Sequence, residues 1–265
     1  MQNFLHMKIN LPLLVRSTLF AVVMLGVSAC STIAPKSSPR EGSASSSSHR
    51  TGLGTTAGYE RGDSVYDVAF HRKSPSHPDA IASFHYNDKA GAEAMIAMLG
   101  GKNRLRSGSF LLAGDRIEAS MEPFYGSKME WMEANGKVIV VGQPGSNYMI
   151  RLKNRTKAEI EAVVSVDGLD VITSKAANFS NRGYVIPPKS SITIEGFRKN
   201  ADSVRSFLFS RVDESQAMKK GGEAAARNVG VIGVAIFEQD RYATQAAKVK
   251  EGGIRQGAMA FPNAP

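Results

Sequence analysis

The sequence predicts a mostly β protein: an antiparallel β-sandwich with one or two short helices, a disordered N-terminal tether and a flexible C-terminal tail. Three observations carry this. From Lys137 onward apolar and polar residues alternate with a period of two, the mark of strands buried on one face. Turn-forming pairs such as Asn154-Arg155, Asp167-Gly168 and Pro187-Pro188 divide that alternation into short runs. Only one stretch, Lys89 to Leu99, has clear helical spacing.

At the start of the chain, Lys8 and Arg16 precede an apolar run from Leu19 to Val27. A spanning helix needs roughly 20 apolar residues, and this run is far shorter. A basic region, a short apolar run and small residues before a cleavage point read as a secretory signal. Val27-Ser28-Ala29-Cys30 resembles the lipobox of bacterial lipoprotein signal peptides. That resemblance implies cleavage before Cys30 and acylation of its thiol and new amino group. Acyl chains contribute about 0.8 kcal/mol per buried CH₂, and more than one gives stable anchoring. Ser31 stands where inner-membrane retention usually has Asp. The resemblance therefore implies an outer-membrane lipoprotein facing the periplasm, with residues 1–29 as its leader.

Cys30 is the only cysteine, so no disulfide is available and stability must come from a core. Loss of the leader leaves about 235 of 265 residues, enough for one large or two small domains. Removing Lys8 and Arg16 from the formal charge of +9 leaves +7, which favours acidic neighbours such as lipopolysaccharide phosphates or cell-wall polymers. The basic residues are scattered rather than gathered in a run, so specific nucleic-acid binding is not expected.

Residues 30–61 read as a Ser/Gly-rich tether, with Ser45-Ser46-Ser47-Ser48, Gly52, Gly54 and Gly58 and no apolar periodicity. Residues 62–135 read as a mixed α/β part. Val65–Phe70 and Ile81–Tyr86 are strand candidates. Asp88 is placed to cap a helix over Lys89–Leu99, with Ala94, Met95, Met98 and Leu99 as its apolar positions and Gly100-Gly101 as its stop. Phe110–Leu112, Ile117–Met121 and Met129–Glu133 are further strands.

Residues 136–239 carry the sandwich. After Val138–Val141 and the turn Gly142-Gln143-Pro144-Gly145, one set should face a common interior: Ile150, Leu152, Ile160, Ala162, Val164, Val166, Ile192, Ile194, Phe207 and Phe209. Arg151, Lys153, Glu159, Glu161, Thr193 and Glu195 should face out. Asn228–Phe237 is a nearly continuous apolar run. Residues 240–265 read as a frayed helix and then a flexible basic tail. The runs Tyr148–Thr156, Val164–Ile172, Gly183–Pro188, Ile194–Arg198, Phe207–Ser210 and Asn228–Gly233 are together similar to a set of functionally uncharacterised exported bacterial proteins. That likeness implies a shared β domain and carries over no catalytic residue.

The candidate sites are few. Gly62-Asp63-Ser64-Val65 has the form of an esterase nucleophile motif, but no histidine follows His85 to activate the serine. His71, His77 and His85 fall within fifteen residues without a compact ligand spacing, so no metal is expected. Gly230-Val231-Ile232-Gly233 lacks the lysine of a phosphate loop and lies in a strand. Asn154-Arg155-Thr156 and Asn178-Phe179-Ser180 match the glycosylation sequon and read as polar turns. Asp167 and Asp170 bracket Gly168-Leu169, where Asp-Gly closes a hairpin; paired carboxylates also serve acid–base chemistry or calcium. Asp167, Asp170 and Arg198 are the binding candidates, Cys30 is the lipidation site, and no catalytic residue, metal or cofactor is assigned.

The sequence thus favours a lipid-anchored, non-enzymatic protein whose partners are the membrane and an envelope protein or polymer. The alternatives are a cell-wall or lipid hydrolase using Asp167, Asp170 or a histidine, and an accessory lipoprotein of a secretion system.

Overall fold

The computed structural model describes residues 50–258 and, in backbone, residues 4–8. Cys30 and residues 31–49 lie outside the described residues, as do residues 259–265. The early strands are β1 (Phe4–Lys8), β2 (Leu53–Gly62), β3 (Val65–Ala69) and β4 (Ala80–Asn87), followed by helix α1 (Lys89–Met98). Next come β5 (Arg106–Ser107), β6 (Phe110–Leu112), β7 (Ile117–Pro123), β8 (Glu130–Ala134), β9 (Lys137–Val141) and β10 (Asn147–Asn154). Then follow β11 (Ile160–Val166), β12 (Leu169–Asp170), β13 (Tyr184–Ile186), β14 (Ser191–Ile194), β15 (Gly196–Arg198) and β16 (Ser203–Arg211). Helix α2 (Gln216–Ala226), β17 (Val231–Glu238) and α3 (Arg241–Gln256) close the chain.

Two sheets face each other. The larger runs β3-β1-β13-β11-β17-β4-β9-β8-β5, with β12 beside β11. The smaller runs β15-β16-β10-β7-β6, with β14 on β10 and β2 on β16. Most ladders are antiparallel, but β1–β13 and β4–β9 are parallel. Each sheet mixes strands from residues 62–135 with strands from residues 136–239.

The core confirms the alternation. Ile150, Leu152, Ile160, Ala162, Val164, Val166, Ile194, Phe207 and Phe209 all lie in one apolar cluster, and half-buried Ile192 packs against it. Ile150 sits opposite Ile194 and Leu152 opposite Ile192 across β10–β14. An aromatic stack fills the centre, with Tyr148 4.3 Å from Phe209 and 5.1 Å from Phe207 between ring centroids.

Three expectations are corrected. The segment read as tether through Arg61 is β2 from Leu53, because its alternate side chains pair into β16, where Leu53 and Thr55 are buried. Glu161 does not face water: it is 2% exposed. The outer face of β11 is covered by the segment after β3, where Phe70 joins Val163, Val185, Ala235 and Phe237 in a second small core. The helix at Asp88 forms as expected, its cap carboxylate accepting the Gly91 N–H at 2.7 Å. Its buried face, however, is Ala92 and Ile96 with Met95 and Leu99, packed on Met132 and Ile139, while Met98 is 88% exposed. After Gln239 the expected helix runs from Arg241 through Gln256, capped by Asp240, and none of its residues is buried.

Candidate functional site

Asp167 follows β11 directly in a left-handed conformation (φ 55°), and Gly168 (φ 77°) comes next. This is the two-residue turn that the Asp-Gly pair predicts, and a side chain at Gly168 would come within 2.8 Å of Asn228 Nδ2. The carboxylate then turns inward. Oδ2 accepts the Thr55 N–H at 2.8 Å, and Oδ1 accepts the Tyr86 hydroxyl at 2.6 Å and the Gly230 N–H at 2.9 Å. Thr55 Oγ1 lies 2.7 Å from both the Tyr86 and Tyr148 hydroxyls. Tyr86 has one proton and gives it to Asp167, so Thr55 must donate to Tyr86 and Tyr148 must donate to Thr55. The result is a directed chain from Tyr148 through Thr55 and Tyr86 to the carboxylate. Burial raises the Asp167 pKa to about 6 despite these three donors. Burial, together with the Asp167 charge, pushes both tyrosines well above their ordinary value.

Asp170, three residues on, serves a different loop. Its Oδ1 accepts the N–H groups of Ile172 at 3.2 Å and Thr173 at 2.7 Å. Among the described residues its Oδ2 and the Asn181 Nδ2 are buried without a hydrogen bond of good geometry, and burial raises its pKa against the lowering effect of Thr173 and Asn181. Arg198 is 8% exposed. It donates to Asp63 Oδ2 at 2.9 Å, to the Asp63 carbonyl and to the Tyr184 hydroxyl at 3.3 Å. Arg198 and Asp170 both bear on the ionisation of Tyr184, so the fold brings these two candidates into one neighbourhood. Asp167 stands apart, in the Thr55–Tyr86 cluster. The same ion pair explains Asp63 of the Gly62-Asp63-Ser64 motif as a structural partner of Arg198.

The histidines do not converge. His77 sits in an exposed loop beside Ser74, and the His71 carbonyl accepts the Asp240 N–H at 2.7 Å. His85 is half-buried, and burial plus the Lys137 charge lowers its pKa. No group of three His, Cys, Asp or Glu side chains could hold a metal ion among the described residues. Asn154 of the first sequon is fully buried, its amide nitrogen serving the carbonyls of Ala158 at 2.7 Å and Ile186 at 3.0 Å.

Open space lies elsewhere. A groove of about 780 Å³ runs along the base of α3, between that helix and the segment before β11. Lys73, Lys157, Glu159, Glu238, Arg241 and Lys248 supply its charges. Lys73 is committed to Glu238, which Arg116 also meets at 3.3 Å, and Lys73 holds the Glu238 carboxyl below its usual range. Asp240 is committed to the Tyr242 and Ala243 amides. Lys157, Arg241 and Lys248 are exposed and make no hydrogen bond or ion pair among the described residues. Glu159 accepts the Gln239 amide at 3.2 Å, and burial raises its pKa. The groove therefore offers three exposed cations without hydrogen bonds, of which Lys248 acts electrostatically on half-buried Glu159 and Arg241 on Glu238. Sequence reasoning missed it because positions 157, 241 and 248 meet only once α3 packs beside β11. Neither Asp167, Asp170 nor Arg198 lines this groove or any of three smaller ones.

No family model matches the chain, and no curated protein or solved structure matches it.

Proposed function

We propose that this chain is a lipid-anchored outer-membrane protein, facing the periplasm, whose β-sandwich binds an anionic envelope component without catalysing its conversion. The observation that carries the binding reading is the α3 groove, where Lys157, Arg241 and Lys248 are exposed around a cavity of about 780 Å³ and none of them makes a hydrogen bond or close ion pair among the described residues. A groove of that size suits a small ligand or one unit of a polymer, and its cations suit phosphate or carboxylate groups. The hydrolase alternative draws no support from the aspartates. The Asp167 carboxylate is buried and held by three donors in the interior, and Asp170 Oδ1 holds a loop. Anchoring rests on Val27-Ser28-Ala29-Cys30 and on the position of Ser31.

The test is capture from crosslinked envelopes, comparing the natural chain with the triple variant Lys157→Glu, Arg241→Glu, Lys248→Glu. The natural chain should retain an anionic component that the variant releases. These exposed substitutions should leave the denaturation midpoint nearly unchanged. Equal recovery by both chains, or none by either, overturns the assignment of the groove.

A further inference from the structure

Strand β1 falls inside the leader, ahead of Cys30, yet it is an inner member of the larger sheet. It pairs antiparallel with β3 from Phe4↔Ala69 through Lys8↔Val65, and parallel with β13 at His6↔Tyr184. Among the described residues β3 has no other partner in the sheet. Cleavage before Cys30 therefore empties a slot one strand wide between β3 and β13.

Both walls of that slot are held by contacts that do not involve β1. β13 is locked to β11 through Ile160↔Ile186, Glu161↔Val185 and Ala162↔Tyr184. Ahead of β3, the Asp63 N–H donates to the Asp202 carbonyl at 2.8 Å, the Val65 N–H donates to Ala201 at 2.9 Å, and Asp63 is paired with Arg198 at 2.9 Å. Beyond β3, Arg72 pairs with Glu161 at 2.6 Å, and the Lys73 N–H donates to the Glu238 carbonyl at 3.1 Å. Two facing edges kept a strand apart, with unpaired backbone groups, form a template for an added strand.

The walls also state what the strand must be. Val65, Tyr184 and Ile186 belong to the main core, whereas Val68 and Val185 belong to the second core on the opposite face. Alternate side chains of an inserted strand reach both faces, so apolar side chains suit the positions beside buried Val65 and Val185, while exposed Tyr66, Asp67 and Ala69 admit polar ones. We propose that the processed protein receives, between β3 and β13, an extended peptide segment of another polypeptide, apolar where it passes Val65 and Val185. This segment runs antiparallel to β3 and parallel to β13. The proposal rests on the reading that residues 1–29 are removed.

The test uses the processed chain, starting at residue 30 and carrying Cys30→Ser, with a synthetic peptide of residues 2–10 as the probe strand. Hydrogen exchange of the β3 amides within Tyr66–Ala69 that face the slot should slow by about tenfold or more on saturation with the peptide. The same peptide N-methylated at alternate residues should bind far more weakly, because it cannot complete both ladders. Folding of the processed chain only when the peptide is present also supports the slot. Amides already protected without peptide, equal binding of the methylated peptide, or no binding at all overturns it. Mass measurement of the protein isolated from membranes separates the two readings. A retained leader defeats the lipoprotein assignment, while the exchange result on the shortened chain still decides the slot.

Discussion

Replacing Glu161 with alanine should be among the most damaging single changes in this protein. The carboxylate is 2% exposed and receives Arg72 through two parallel bonds, Nε to Oε2 at 2.6 Å and Nη2 to Oε1 at 2.7 Å. Oε1 also accepts the Gly183 N–H at 2.6 Å. The guanidinium lies 3.7 Å from the centre of the Phe237 ring and donates to the carbonyls of Pro75 and Phe179 at 2.7 and 2.6 Å. One ion pair thus ties the segment after β3 and the loop before β13 to the outer face of β11. Glu161→Ala leaves a guanidinium with a side chain 10% exposed and no counter-charge, for which breaking a buried pair costs about 3–5 kcal/mol. An orphaned buried N–H at Gly183 adds up to about 1–3 kcal/mol where water cannot reach it. Arg72→Ala should cost a similar amount from the other side. The double variant Arg72→Met, Glu161→Leu should be less destabilised than either single change, since replacing both charges with apolar groups of similar volume is often neutral. Urea midpoints of the natural chain and the three variants measure all of this. A Glu161→Ala cost within about 0.5 kcal/mol, as for an exposed residue, would refute the burial argument. So would a double variant worse than the sum of the singles.

Phe207→Ala, which empties the stack on Tyr148 and Phe197, should cost about 3–5 kcal/mol; a midpoint close to that of the natural chain would place the ring outside the core. Asp167 has a folded pKa raised from 3.8 to about 6 by burial, so its contribution is full below about pH 4 and fades as the pH rises through 6. The stability of the natural chain relative to Asp167→Asn should therefore fall over that window by about 3 kcal/mol, and a flat difference between pH 4 and pH 7 would contradict the assignment. Tyr148→Phe removes the first donor of the chain leading to Asp167 and should cost about 1 kcal/mol, read from the same denaturation curves. Cys30→Ser should give an unprocessed precursor without acyl label, and normal labelling would end the lipoprotein reading, since no other cysteine exists.

What the sequence made legible was the part governed by local periodicity. Ile150, Leu152 and Ile194 could be assigned to one interior because each strand repeats every two residues, and the Asp167-Gly168 turn because its backbone angles demand those residues. Thr55 was hidden, because Thr51–Gly58 has the composition of a linker and its partner strand β16 lies about 150 residues away. Glu161 was misplaced for a related reason. Alternation assumes that the second face of a strand meets water, and only Arg72, brought in from another loop, makes that false here. In α1 the residues Ala94 and Met98 fit a helical stripe as well as Ala92 and Ile96 do. The choice between them is made by Met132 and Ile139 of the sheet beneath.

The same division explains where charge is left available. The aspartates and arginine flagged by their sequence context sit at strand ends, where the fold turns them inward and consumes them in the Thr55–Tyr86 cluster, the Thr173 loop and the Asp63 pair. Elsewhere on the surface acids are matched locally, as in Arg61–Glu195, Lys199–Glu60 and Arg211–Asp213. The excess that composition reports as a net positive charge has to fall on elements with few acids. Helix α3 is such an element, with Arg241, Lys248, Lys250 and Arg255 against Glu251 alone. None of its residues is buried, so the field of its cations would reach about a Debye length, some 8 Å at physiological salt. Of these, Arg241 and Lys248 line the cavity with Lys157, where the binding reading proposed above would seat one anionic group. A groove built this way attracts by charge and selects by shape, and raising the ionic strength should weaken only the first of these.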